Sequence, residues 1–269
     1  MNNSELDGIT VLVTRPRELA EPLCKAVEAH QGRAIRWPGL EIESRIADAD
    51  ASSQLRQAGG DDVVIFVSRN AVTHGAELLS TPLRPALAAI GPSTESALRR
   101  KGLEPDILSP GHDSEALLEH PAFADIEGRR VFILRGVGGR ELLAEELGRR
   151  GAEIVYLEVY QRQSALHPPH RVEDLLQRWQ RGGIQVFTAT SVGILDNLYH
   201  SLGAQGADLL NRTPLVTASA RVIKRAESAG HRAERLLSQA PDDNSLLTAI
   251  ISWRQSTTDH PAVTDNDHE

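Results

Sequence analysis

Gly8-Ile9-Thr10-Val11-Leu12-Val13-Thr14-Arg15 stands near the start of the chain, and Gly128-Arg129-Arg130-Val131-Phe132-Ile133-Leu134-Arg135 repeats its pattern far downstream. The interval from Gly8 to Gly128 equals that from Arg15 to Arg135. Each stretch is a short apolar run, and an amphipathic segment follows it, through Leu23 and Val27 in the first case and Leu142, Leu143 and Leu147 in the second. A glycine then stops the helical pattern, at Gly32 and Gly151, before another extended run. Strand, turn, helix, glycine stop and strand is the signature of a βαβ unit, and its recurrence marks an internal repeat.

Working outward, further pairs obey the same logic. Asp62 to Val72 has its counterpart in Gln185 to Val192, each a strand running into a helix start. Ala89-Ile90-Gly91-Pro92-Ser93-Thr94 matches Val216-Thr217-Ala218-Ser219-Ala220, with helix stops near Gly102 and Gly230. Asp113 to Leu118 and Asp243 to Leu247 read as capped helix starts. Alternating strands and helices predict parallel sheets covered on both faces. The repeat predicts two similar α/β domains, each doubly wound. Leu40 to Ile46 and Tyr156 to Gln163 are extended segments between units, natural crossing strands, and Arg162 to Arg171, with Pro168 and Pro169, reads as a linker.

The 269 residues suffice for two modest domains. The formal charge is −8, part of it in Asp259, Asp265, Asp267 and Glu269 of a polar stretch, 257–269, that reads as a disordered tail. No basic stripe suggests nucleic acid. No apolar run approaches the roughly 18 to 20 residues that span a bilayer, and the polar start is not a secretory signal. The single cysteine, Cys24, forms no internal disulfide and reads as a small buried hydrophobe. The expectation is a cytoplasmic protein, monomeric for want of an oligomerisation motif, with no membrane or nucleic-acid partner.

Doubly wound sheets bind ligands beyond the carboxyl ends of their strands. Those ends carry Thr14-Arg15, Ser68-Arg69-Asn70, Ser93-Thr94, Arg135-Gly136, Thr188, Thr190-Ser191 and Ser219. Hydroxyls, arginines and helix-start N–H groups suit carboxylate or phosphate. Ser, Thr and Asn are equally the preferred N-caps, so each position also has an architectural reading. Signatures of other chemistries are missing. There is no Gly-Lys-Ser/Thr loop and no zincin histidine pair, and Gly136-Val137-Gly138-Gly139 lacks the third glycine of a dinucleotide fingerprint, Glu141 standing in its place. His167 and His170 read as solvated linker residues; Asp61-Asp62 and Glu145-Glu146 read as solvated turn and helix-face acids. No metal and no cofactor is expected. Tyr160, just after the strand Ile154 to Val159, could give a proton to a departing oxygen or be an interfacial aromatic with a satisfied hydroxyl.

Five stretches together resemble the uroporphyrinogen-III synthase family over about residues 8 to 253: Val11 to Pro16, Val64 to Val72, Ile90 to Thr94, Leu157 to Arg162 and Phe187 to Ser191. Their order carries the resemblance more than any one motif. Ala189 departs from the Phe-Thr-Ser usual in that family, which puts a side-chain role at that position in doubt. The resemblance implies two HemD-like (flavodoxin-like) doubly wound domains joined by two strands with a cleft between them. One domain would hold 1–38 and 165–256, the other 42–160, with 39–41 and 161–164 crossing. It implies cofactor-free closure of hydroxymethylbilane, a linear tetrapyrrole polycarboxylate, with inversion of the last ring. It aligns the family's tyrosine with Tyr160, as assistant to the departing hydroxyl, and the strand-end residues as substrate donors. A non-catalytic module closing on a small anion is the alternative from another class; a cofactor-dependent transferase is a third.

Overall fold

A computed structural model describes residues 4–45, 48–79, 84–111 and 113–259. Along the chain, β1 (Thr10–Val13), α1 (Arg17–Ala29) and β2 (Arg33–Arg36) precede β3 (Leu40–Ser44). Then come α2 (Ala49–Arg56), β4 (Val63–Phe66), α3 (Arg69–Gly75), β5 (Ala86–Ala89), α4 (Pro92–Arg100), β6 (Ile107–Leu108), α5 (Ser114–Leu118), β7 (Arg130–Gly136) and α6 (Leu142–Arg149). A long β8 (Glu153–Ser164) follows, then α7 (Pro169–Gln180), β9 (Val186–Thr188), α8 (Val192–Arg212), β10 (Leu215–Thr217), α9 (Ala220–Ser228), β11 (Arg235–Leu237) and α10 (Asp243–Asp259).

The chain divides into two compact units, residues 1–41 with 163–269, and 42–162. Both boundaries fall inside strands, β3 and β8. The first unit holds a five-stranded parallel sheet in the order β11-β10-β9-β1-β2. The second holds a six-stranded sheet in the order β3-β8-β7-β4-β5-β6, parallel from β8 to β6.

The continuous apolar runs have a simple cause, because both faces of each sheet are buried. In the first unit, Leu12, Phe187 and Leu215 face one core with α7 and α8, while Val11, Val13, Val186 and Val216 face another with α1 and α10. In the second, Val64, Phe66, Phe132 and Leu134 point one way and Val63, Ile65, Val131 and Ile133 the other. Each such side chain contributes about 1.5–3 kcal/mol by leaving water. Cys24 lies fully buried among Leu23, Val27 and Ile250, and burial pushes its thiol up to about 11.

Four sequence expectations are corrected. Arg162 to Arg171 is not irregular throughout: Arg162–Ser164 complete β8, where the boundary between the units falls, only 165–168 lie between elements, and Pro169 is the first residue of α7, where a residue without an N–H costs nothing. Tyr160 sits within β8 rather than after it. The start of the expected tail is helical, since α10 runs to Asp259; positions 260–269 lie outside the described residues. The α10 cap is also one residue earlier than expected, Asp242 accepting from the Ser245 N–H at 2.8 Å.

Candidate functional site

In the second unit, β4 delivers Ser68 to the start of α3. Its Oγ accepts the Ala71 N–H at 3.2 Å as N-cap and stands 3.1 Å from the Tyr160 hydroxyl. Arg69 is exposed and Asn70 half-buried on the same first turn. Tyr160 arrives from β8 through a break in register. Arg135 pairs with Glu158, but Gly136 pairs with Tyr160, leaving Val159 as an extra residue. A bulge of this kind re-aims the side chain that follows it. Strict alternation after Leu157 and Val159 would send Tyr160 to the opposite face; instead all three belong to one core.

The tyrosine ring then lies directly on Gly136. A β-carbon there would fall 2.5 Å from Cε2 and 2.6 Å from Cζ of Tyr160, so only glycine allows this approach. Although 3% exposed, Tyr160 lines a pocket of ≈ 300 Å³ together with Ser68, Arg135, Gly136, Arg140 and Arg162. The Arg162 guanidinium lies 6.0 Å from the Tyr160 ring centroid.

Arg135 is committed internally. It donates to Glu141 at 2.9 Å, to the Gly139 and Arg140 carbonyls at 3.3 Å each, and to Glu158 at 3.5 Å. It also stacks on the Tyr156 ring at 3.8 Å. Tyr156 donates its hydroxyl to Glu141. Burial, then the Glu141 carboxylate, pushes the Tyr156 phenol up to about 12, and hydrogen bonds from Tyr156 and Arg135 hold Glu141 below its usual range. The Gly136–Glu141 turn is therefore tied down by Arg135. On α4, Ser93 is exposed and Thr94 buried.

In the first unit, Thr14 and Thr188 are fully buried, and the Thr14 hydroxyl donates to the Thr188 carbonyl. Both hydroxyls lock neighbouring strand ends. Arg15 is buried against Asp243 and the Pro241 carbonyl, joining the end of β1 to the start of α10. Thr190 is half-buried; Ser191 is exposed and caps α8, accepting the Ile194 N–H at 3.3 Å. Ser219 is half-buried and its side chain makes no cap bond. Ala189 is fully buried, so no side chain there reaches solvent.

Three minor readings change. Asp62 is not a solvated turn acid: it is 7% exposed, takes two hydrogen bonds from Arg130 at 2.6 and 3.1 Å, and accepts the Gly59 N–H at 2.6 Å. Glu146 is likewise paired, accepting from Arg150 at 2.9 Å. His167 is not solvated: its ring stacks on Trp37 at 3.8 Å, Nε2 lies 2.8 Å from the Pro38 carbonyl, and burial keeps its pKa below the ordinary histidine value.

Sequence reasoning missed Arg140 and Arg162 beside Tyr160. It also missed Arg17 and Arg171, which line a second pocket of ≈ 280 Å³ with His167 at the carboxyl end of β2. Arg162 was hidden by its place in an apparent linker. Among the described residues, no three His, Cys, Asp or Glu side chains are placed to hold a metal ion, and no helix is long and apolar enough to cross a membrane.

The family described as "Uroporphyrinogen-III synthase HemD" matches residues 21–248. A uroporphyrinogen-III synthase of Salmonella typhimurium is 32% identical over 250 residues, covering 90% of this chain and 100% of the relative. Its Escherichia coli K12 counterpart is 30% identical over 249 residues, with the same coverage of 90% and 100%. In fold, the chain is similar to a Helicobacter pylori uroporphyrinogen-III synthetase at TM-score 0.59 and 12% identity, covering 91% and 99% of the two chains. A mutant uroporphyrinogen III synthase of Thermus thermophilus gives TM-score 0.55 at 16% identity, covering 93% and 99%.

Proposed function

The chain belongs to the uroporphyrinogen-III synthase family, and from that premise we propose how its own residues carry the reaction. The protein is a lyase of tetrapyrrole biosynthesis that closes hydroxymethylbilane into uroporphyrinogen III, with inversion of ring D and loss of water. Breaking the carbinol C–O bond leaves an electrophilic azafulvene stabilised by electron donation from its pyrrole ring, so the barrier is modest and the same ring without inversion forms unaided. The protein must chiefly hold one folded geometry.

Tyr160 donates its proton to the departing hydroxyl, which leaves as water. The observation that supports this role is that Tyr160 lines a pocket together with Gly136, Arg140 and Arg162. Arg162 and Arg69 are exposed, and neither makes an ion pair among the described residues; both suit substrate carboxylates. Asn70, Ser93, Thr190, Ser191 and Ser219 supply further donors near helix starts. Thr14 and Thr188 are too buried to touch substrate and shape the strand ends, Thr94 is buried within α4, and Arg15 and Arg135 brace the loops. The reaction needs no cofactor in this scheme. We place it in the cytoplasm, a reducing compartment that the lone free Cys24 fits, with a monomer as the working state.

Tyr160→Phe keeps the ring and removes the proton. Its turnover should fall by ~10²-fold in a coupled assay with an unchanged unfolding midpoint; near-normal turnover would remove Tyr160 from the mechanism.

A further inference from the structure

We infer that Ser68 is a positioning residue for Tyr160 rather than a contact of the substrate, an inference that rests on the general-acid reading of Tyr160 above. A serine hydroxyl has one proton to give and two lone pairs. One lone pair is engaged by the Ala71 N–H, 3.2 Å away. That bond fixes the oxygen against the first turn of α3, since the N-cap backbone is extended, at φ −163° and ψ 163°. The Tyr160 oxygen lies 3.1 Å away, a contact in which either hydroxyl can donate; Ser68 is assigned as the donor, since its oxygen already accepts from Ala71.

The consequence is directional. A proton given by Ser68 to the phenol oxygen leaves the Tyr160 O–H free to point into the pocket and serve the substrate. Once that proton has gone to the leaving hydroxyl, the Tyr160 oxygen carries the negative charge, and the Ser68 O–H already faces it. A hydrogen bond to a charged acceptor is stronger than one to a neutral acceptor, so the contact tightens as the C–O bond breaks. Stabilisation that grows along the reaction lowers the barrier and leaves substrate binding untouched. Atoms balance: the proton moves from Tyr160 to the departing hydroxyl, water leaves, and Ser68 keeps its own proton.

The surroundings hold this pair in place. The bulge at Val159 turns Tyr160 toward α3, and Gly136 lets the ring sit against β7 with no side chain between. The ring is closed in from the α3 side by His74, whose centroid is 6.0 Å away. Ser68 thus reads as part of the acid, although its place at a helix start gives it the look of a substrate anion donor.

The test is a double-mutant cycle. Ser68→Gly is the informative variant, because glycine is a good N-cap and costs the helix little, whereas Ser68→Ala would lose cap and hydroxyl together. Ser68→Gly should lower kcat about tenfold with KM unchanged. In a Tyr160→Phe background it should change nothing further, and Ser68→Thr, which restores a hydroxyl, should recover most of the rate. A tenfold loss in both backgrounds, or a loss seen in KM alone, would overturn the inference and return Ser68 to substrate binding. Normal turnover in the Tyr160→Phe single variant would instead dismiss the general acid itself, a distinct result. If Ser68→Gly proves unfolded by circular dichroism, Ser68→Thr against Ser68→Asp in the same two backgrounds reads the same coupling, since aspartate retains the cap and has no proton to donate; equal rates for the two in the Tyr160 background would count against the role.

Discussion

Gly136 and Tyr160 make contact only because one of them has no side chain. Gly136→Ala would place a methyl 2.5 Å from the ring, and the ring is packed on its other sides by the α3 core. Overpacking of this kind costs about 1–3 kcal/mol. The expected outcome is a lower urea midpoint together with a loss of turnover comparable to that of Tyr160→Phe, because the hydroxyl is displaced. A variant with normal turnover would show that the hydroxyl need not be where it stands. At this scale the sequence was only partly legible. It singles out Tyr160, Ser68 and Gly136 as neighbours of strand ends, but nothing in it says that they meet. Arg15 and Arg135 look like paired anion binders in the repeat, yet both are spent on internal acids, Asp243 and Glu141. Composition shows where a guanidinium is attached; its partner is set by long-range packing.

Elements were read more securely, because period and capping are local properties. The buried runs of β1, β4, β7 and β9 stand in the sequence as unbroken apolar stretches, and three helices are followed by glycines with positive φ, Gly102 at +75° after α4, Gly151 at +87° after α6 and Gly230 at +86° after α9. Two features of elements stayed invisible. The bulge in β8 leaves no composition mark, and α8 is broken at Gly203, where φ is +64°. Cap chemistry supplies a test. Ser191 holds the first turn of α8 through the Ile194 N–H, so Ser191→Ala should lose ~1 kcal/mol of stability in urea unfolding and Ser191→Asp should restore it. Full stability in the alanine variant would remove the capping role and strengthen the case for a ligand contact.

Over the whole molecule, two half-buried or buried histidines set a pH dependence. His167 stacks on Trp37, and His231 packs edge-on to Phe187 at 6.0 Å. Burial lowers both pKa values from the ordinary 6.5. The folded form keeps these rings neutral, and the unfolded chain takes up protons near the ordinary value. Between the two, the unfolded state binds more protons, so stability rises with pH. It is complete above about pH 6.5 and is lost as pH falls through the lowered values. Urea midpoints should therefore drop between about pH 7 and pH 5, by at most ~1.4 kcal/mol per pH unit for each histidine. His231→Phe should flatten the slope; an unchanged slope would place the titration elsewhere. Both residues belong to the unit that holds the chain ends, so acid loosening should begin there. The arrangement of parallel sheets at this scale was legible from the repeat alone, because βαβ units allow few alternatives. The chemistry was legible only through the resemblance, since a site of hydroxyls, backbone N–H groups and one phenol has no short motif.

The most direct measurement is a coupled assay on purified protein. Freshly generated hydroxymethylbilane is mixed with the protein, the product is oxidised, and the porphyrin isomers are separated. Predominantly the type III isomer is expected, without added cofactor. Only the unaided type I isomer, from protein shown to be folded, would contradict it and leave a binding module in its place.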